Sequence, residues 1–565
     1  MSTGRSNGDR QTIGRVISVA PWIGLFLAGL LGALPLIPPG APENPGPTDF
    51  STIRAQDLVA DLAQEPHPIG TPAIERVRAM IVDELRGLGL APEFQEVEAS
   101  DYYGGTGARV TAVNVLARIS GAASTGAVAV VGHYDTVPWS PGANDDASAV
   151  AIMLESARAL LATPPARNDV MFVFTDGEEP APRFGSTAFV SHHRWAQDIK
   201  AVINLETIGG SGPSMLIATG GSDHWIIDRY AEAVPDPVAF SFVTTLAKLI
   251  GGSSSDFASF RDRGIPGAEL AYLRGSPIYH TERDTPDRVD GGSLTQQGSA
   301  TLALTRELAG LDLGPVPTPE DAVFFTLGGS VVVRYPATWA LPVALVAGLS
   351  IAVAAWLRRR AGRDATAGAR SMKWGVGATL GAVAAATLAG IVVWTVLATA
   401  RPDMDVPESY AYLAGLSAMT AGVAVALGRL AGRRAHADPV GVLAVWWILA
   451  LFTSIGAPGF SYLFAWPVMA AGLVLAWRAW HPEQVRSWSE AAGFALVGVI
   501  TLALLVPPID TFFQLAQPRP GNPDSEMPAI VAVVAILTVL AIELIRTCWP
   551  RARARSGTPD RAAMA

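Results

Sequence analysis

The sequence predicts an α/β fold joined to a membrane domain: a three-layer αβα unit with a mixed, mostly parallel sheet, followed by an all-α polytopic transmembrane bundle. Three observations predict it. Charge is segregated: residues 40–310 hold 34 Asp and Glu against 19 Lys and Arg, a net of -15, while the remainder holds 16 acids and 22 bases, a net of +6. Apolar residues make up 50% of the 565-residue chain and charged ones only 16%, against about 25% charged in soluble proteins. Within the acidic block, short β-rich runs alternate with helical patterns, which implies strands covered by helices on both faces. Composition also excludes classes. The chain is too apolar for intrinsic disorder. Its one cysteine, Cys548, cannot pair within the chain. A net charge of -9 argues against nucleic acid as a partner.

In chain order, residues 1–38 read as a basic stub (Arg5, Arg10, Arg15) and an apolar N-terminal anchor over 16–37, which is long for a cleaved signal peptide. A Pro/Gly-rich linker spans 39–50. The α/β domain follows over 51–312. Strands are expected at Val128–Val131, Val170–Phe174, Ala201–Leu205 and Ala268–Tyr272, and helices at Thr71–Leu88, Ala147–Leu160, Ser222–Ala233 and Gly292–Leu308. A linker over 313–337 carries Pro315, Pro317 and Pro319. The bundle, 338–548, offers spans of about 20 apolar residues at 338–357, 374–399, 411–428, 440–457, 460–477, 490–509 and 528–547, about seven in all, and the basic tail is 549–565. With the N-terminus in the cytoplasm, the loops on that side carry Arg358, Arg359, Arg360, Arg363, Arg429, Arg433, Arg434, Arg478 and Arg486. The opposite loops carry only Arg401 and Arg519. This asymmetry follows the positive-inside rule. The expectation is a multi-pass protein in a lipid bilayer, with the α/β domain extracytoplasmic and both termini cytoplasmic.

Ligands of open α/β sheets sit at the carboxyl ends of the strands. The first strand runs into Gly132-His133-Tyr134-Asp135, and then Gly142-Ala143-Asn144-Asp145-Asp146 opens a helix. The second strand runs into Asp176-Gly177-Glu178-Glu179, the third into Glu206, and the fourth through a loop into Tyr279-His280-Thr281. Each residue alone has an ordinary reading: a structural histidine, a solvated acidic turn, a helix-capping aspartate. Five of them at strand ends in one domain have a shared one. His, Asp and Glu are ligands that suit zinc, and five such groups exceed what one catalytic ion needs. They fit two ions sharing a carboxylate, about 3.5–4 Å apart.

Together these segments resemble the co-catalytic zinc aminopeptidases of metallopeptidase family twenty-eight, over roughly residues 50–310. Pro66-His67-Pro68-Ile69-Gly70-Thr71, Asn204-Leu205-Glu206 and the polytopic C-terminal half resemble its membrane-anchored subgroup of endoplasmic-reticulum metallopeptidases and vacuolar membrane proteases. The resemblance implies two zinc ions held by His133, Asp145, Glu179, Glu206 and His280. Asp145 would bridge, His133 and Glu206 would complete one site, and Glu179 and His280 the other. It implies Glu178 as general base to a zinc-activated water, Asp135 as the residue orienting His133, and Tyr279 as a donor to the tetrahedral oxyanion. Peptides are the implied substrates, and no Ser or Cys nucleophile is expected.

The chain departs from the family pattern in three places. Ala149 stands where a glycine is usual, and the loop carrying Pro180, Pro182 and Arg183 is longer. Glu206 stands where many soluble aminopeptidases have Asp. Carboxypeptidase or glutaminyl-cyclase-like activity therefore stays open beside aminopeptidase activity, as does a non-enzymatic membrane receptor or assembly role. Ser253-Ser254-Ser255-Asp256 resembles a family segment near the site, with a plain helix N-cap as the other reading of Asp256.

Overall fold

The computed structural model describes residues 23–42, 44–100, 109–179, 183–251, 254–314, 320–360, 368–400, 406–434, 439–481, 487–517 and 527–548. Arg5, Arg10, Arg15, Pro180, Pro182, Ser253, Pro315, Pro317, Pro319, Arg363, Arg401, Arg486, Arg519 and the tail over 549–565 lie outside these residues.

The apolar helix α1 (Ile23–Leu36) comes first. The α/β domain contains α2 (Thr52–Leu62), α3 (Pro72–Gly87), β1 (Glu93–Ser100), β2 (Arg109–Ile119), β3 (Ala127–His133), α4 (Ser148–Leu161), β4 (Asp169–Thr175), α5 (Phe184–His192), β5 (Ile199–Thr207), β6 (Met215–Gly220), α6 (Asp223–Ala233), α7 (Ser241–Leu249), α8 (Phe257–Arg261), β7 (Gly267–Tyr272) and α9 (Gly291–Gly310). The hairpin β8 (Ala322–Leu327) and β9 (Val331–Pro336) leads into α10 (Ala340–Arg360), α11 (Gly368–Ala400), α12 (Val406–Arg434), α13 (Pro439–Gly456), α14 (Ser461–Trp480), α15 (Ser487–Leu515) and α16 (Met527–Thr547).

The sheet order is β1-β2-β4-β3-β5-β7-β6. The inner four strands, β4-β3-β5-β7, run parallel, and β1, β2 and β6 pair antiparallel at the edges. The inner strands read as unbroken apolar runs because both faces are covered. Alternate residues of β3 serve opposite layers. Val128 and Val130 pack toward α2, α3, α4 and α9, while Ala127, Ala129 and Val131 pack with Phe189, Trp195, Phe257 and Phe260. Helix starts are capped by side chains: Thr71 at α3, Ser222 at α6 and Asp290 at α9 each accept a backbone N–H from the first turn. Strand β3 lies between β4 and β5, so the chain reverses its winding direction there and opens a crevice at the carboxyl ends.

The expected strands and helices of the α/β domain are all present. The stretch 313–337 differs from a plain linker, because it holds the β8–β9 hairpin. Phe325 of β8 bridges to Phe240, just before α7, so the hairpin packs on the α/β domain where that domain meets the bundle.

Six helices among the described residues are long and apolar enough to cross a membrane: α10, α11, α13, α14, α15 and α16. The chain is a multi-pass membrane protein. Leu349, Leu388, Phe452, Ile455 and Trp480 point their side chains outward from the bundle, as lipid contact requires. The α/β domain packs on one end of it. Phe242 of α7 lies 5.5 Å from Phe512 and 6.5 Å from Phe460 between ring centroids, and Phe325 stacks on Tyr462 at 4.5 Å. Ser241 donates to the Gly459 carbonyl at 2.8 Å. A Cβ on Gly459 would sit 2.6 Å from the Ser241 carbonyl, so glycine permits this approach. At the opposite end, Arg478 donates to the carbonyls of Glu490 and Cys548.

Candidate metal centre

His133 is the last residue of β3 and is buried. Its Nδ1 lies 2.9 Å from the Asp135 carbonyl. If that nitrogen carries the proton, Nε2 is left with its lone pair facing the crevice. Nε2 is 3.3 Å from Asp145 Oδ1 and 3.9 Å from Glu206 Oε1, with Glu206 near the end of β5.

Asp145 sits in a tight turn, Ala143–Ala147, that precedes α4. Gly142 starts this turn at φ +67, where a Cβ would meet Thr136 Cγ2 at 2.4 Å, so only glycine fits there. Asp284 fixes the turn from the far side. Its carboxylate accepts from the Asn144 backbone at 2.9 Å, the Asn144 side chain at 2.7 Å and the Asp145 backbone at 3.1 Å.

Glu178 and Glu179 follow β4. The Asp135 carboxylate accepts both of their backbone N–H groups, at 3.0 and 3.2 Å. His280 arrives from the loop after β7. Its Nε2 is 3.1 Å from Asp145 Oδ2 and 3.0 Å from Glu179 Oε2. Its backbone has φ +57, a conformation uncommon outside glycine. Trp139 donates its indole N–H to the His280 carbonyl at 2.8 Å. The Tyr279 ring stacks on the imidazole at 3.8 Å and 16°.

Two triads result, His133/Asp145/Glu206 and Asp145/Glu179/His280, each with ligand atoms within 4.8 Å of one another. Asp145 belongs to both, offering one oxygen to each imidazole. The donor set fits metal ions by a second test. Asp145 Oδ2 and His280 Nε2 are buried with no hydrogen-bond partner among the described residues, and such atoms are costly unless something meets them.

The electrostatics agree. Burial, with the neighbouring Glu206, Asp256 and Glu179, pushes the Glu178 carboxyl well above its ordinary range. Burial and Asp145 push Glu179 up to about 7. Asp145 is itself buried, yet the His133 and His280 imidazoles, 3.3 and 3.1 Å away, hold it below the usual carboxylate range. Burial disfavours a charged His280, but Glu179 and Asp145 raise it to about 10. The pocket is strongly negative, which favours a cation there.

All eight residues expected at the site, His133, Asp135, Asp145, Glu178, Glu179, Glu206, Tyr279 and His280, come together. The Asp135 contact differs in detail from the expected one. Its backbone carbonyl takes the His133 ring nitrogen, with the carboxylate 3.7 Å away, and the carboxylate instead grips the Glu178-Glu179 turn. Asp256 precedes α8 without a side-chain cap and accepts from the Thr175 hydroxyl, so the plain N-cap reading falls. Ala149 is accommodated because Gly132 faces it; a Cβ there would lie 3.0 Å from Ala149 Cβ. Trp139 and the gripping role of Asp284 were not foreseen. Asp284 stands four residues past His280, and a carboxylate that close to a ligand is a signal for it.

Acids and imidazoles meeting at parallel strand ends around a shared carboxylate define a metallohydrolase class of site. Residues 114–305 match the family model "Peptidase family M28". Over these residues, from β2 to α9, the chain resembles that peptidase family. It is similar to rat (Rattus norvegicus) endoplasmic reticulum metallopeptidase 1, 37% identical over 212 residues, covering 36% of this chain and 23% of that protein. It is also similar to the vacuolar membrane protease of Yarrowia lipolytica, 26% identical over 307 residues, covering 49% of this chain and 30% of that protein. The matched regions thus span under a third of these relatives' own length. Among solved structures, the glutaminyl cyclase of Fimbriiglobus ruber matches with TM-score 0.39 and 20% identity over 48% of this chain and 99% of that one. A zinc aminopeptidase from Bacillus subtilis matches with TM-score 0.38 and 17% identity over 46% of this chain and 96% of that one.

Proposed function

We propose that this chain is a membrane-anchored zinc-dependent exopeptidase, an aminopeptidase, that hydrolyses peptides outside the cytoplasm. The observation that carries the reading is Asp145, whose two oxygens lie 3.3 Å from His133 Nε2 and 3.1 Å from His280 Nε2. Two zinc ions, one in each triad, would supply Lewis-acid polarisation of the scissile carbonyl and a lowered pKa for the attacking water.

The protein's own groups do the rest. Glu178 is part-exposed while its neighbour Glu179 is committed to the Asp145/Glu179/His280 triad. Adjacent glutamates thus divide the labour of holding an ion and moving a proton. Glu178 takes the proton of the attacking water and returns it to the leaving amine. The Asp135 carboxylate fixes the backbone of both glutamates, and its carbonyl fixes the His133 ring. The Tyr279 hydroxyl donates to the substrate oxyanion. Helix α10 leaves the β8–β9 hairpin and ends in Arg358, Arg359 and Arg360, which supports placing the α/β domain on the extracytoplasmic side with both termini inside.

The test uses the full chain in detergent, with aminoacyl, N-acetylated and N-terminal glutaminyl peptides. Cleavage confined to free N-termini supports the aminopeptidase reading. Release of C-terminal residues, or cyclisation of the glutaminyl peptide without hydrolysis, replaces it.

A further inference from the structure

His280 stands at the end of a segment that leans on the membrane helices. After β7 the chain passes through Arg274, Gly275 and Ser276 to Tyr279 and His280. Arg274 reaches into the bundle. Its guanidinium donates to the Leu36 carbonyl of α1 at 3.0 Å, lies 3.7 Å from Asp510 Oδ2 of α15 and covers the Tyr410 ring of α12 at 5.2 Å. Tyr410 donates to the other Asp510 oxygen at 2.9 Å. Ser276, fully buried, donates to the Gln514 carbonyl at 3.1 Å. That carbonyl lies in the last turn of α15, where it also accepts the Gln517 backbone N–H at 3.3 Å.

Asp510 is a buried carboxylate at the end of an apolar span. An ionisable group there is expensive and marks a functional position unless it is merely paired for stability. Its partner is the residue that opens the ligand-bearing segment. Helices α1, α12 and α15 therefore converge on Arg274, and α15 also meets Ser276, within six residues of a metal ligand.

We propose that the membrane bundle is a working part of the metal centre: Asp510 and the end of α15 hold the Arg274–His280 segment so that His280 meets Asp145 and Glu179. Asp510, Tyr410, Arg274 and Ser276 are positioning residues that act through His280. The other two ligands of the inner triad, His133 and Glu206, stand on β3 and β5, away from these residues. This inference rests on the peptidase reading of the site, and its test separates the two.

Zinc content of the full chain in detergent is measured by atomic emission across a chelator series. Asp510→Asn is expected to release one of the two ions at about tenfold lower chelator concentration than wild type, with the other ion unchanged. Ser276→Ala is expected to shift the same ion in the same direction, and serves if Asp510→Asn does not fold. Glu543→Gln perturbs a buried acid elsewhere in the bundle and is expected to keep both ions at wild-type chelator concentrations. Retention of the second ion by a folded Asp510→Asn and by Ser276→Ala overturns the inference, as does equal loss in Glu543→Gln. A wild type that binds no zinc overturns the peptidase reading instead.

Discussion

The two triads of this site are built from different material. His133 and Glu206 stand on β3 and β5, inside a sheet packed on both faces, and their side chains are 2% and 10% exposed. Glu179 and His280 stand on loops, the His280 side chain is 27% exposed, and the His280 loop rests on membrane helices. Asp145 joins the halves. The inner half is made rigid by the domain's own core, whereas the outer half borrows rigidity from Trp139 and the bundle, and Asp284 fixes the shared Asp145 turn. Preorganisation of a metal site depends on what holds its ligands, so the halves should respond differently to perturbation.

The largest expected effect removes the residue they share. Asp145→Ala should cost both ions, where His280→Ala should cost only the outer one and leave near one zinc per chain by metal analysis. Equal loss from both variants would erase the distinction between halves.

Acidity should separate the halves next. A proton must leave His280, held at about 10, before that nitrogen can take an ion, and Glu179 titrates at about 7. Affinity of the outer triad should therefore fall as pH falls, by about tenfold per unit between pH 9 and 7 and more steeply below 7. Cobalt titrations followed by absorbance at several pH values measure this. An outer affinity that is flat between pH 9 and 6 contradicts the assignment.

The smallest effect is at Trp139. Trp139→Phe keeps the aromatic bulk but loses the N–H donated to the His280 carbonyl. One such bond contributes about 1 kcal/mol, so outer-ion affinity should fall by about fivefold with the inner ion unmoved, measured in the same chelator series.

The inner half was the more legible in sequence. A parallel strand buried on both faces is a continuous apolar run, and the polar residue that ends it marks the crevice, as in Val128–Val131 running into His133. Edge strand β1, Glu93-Phe94-Gln95-Glu96-Val97-Glu98-Ala99-Ser100, is antiparallel and half solvated, so its acids masked it. The hairpin β8–β9 was hidden beside a proline-rich stretch. Its signal was Gly328-Gly329, both at positive φ between β-rich runs. Asp510 was missed because the expected span ended at 509; helix α15 continues through Pro507 and Pro508 to Leu515. Contacts such as Arg274 with Asp510 join residues far apart in sequence, and no local pattern announces them.

The central claim is that Glu178 moves the proton while five neighbours hold the ions, and one substitution tests it most directly. Glu178→Gln in the full chain, assayed for bound zinc and for hydrolysis of an aminoacyl substrate, should keep about two zinc per chain and lose on the order of a thousandfold in kcat. A variant that keeps wild-type turnover, or that loses its zinc along with its rate, contradicts the account.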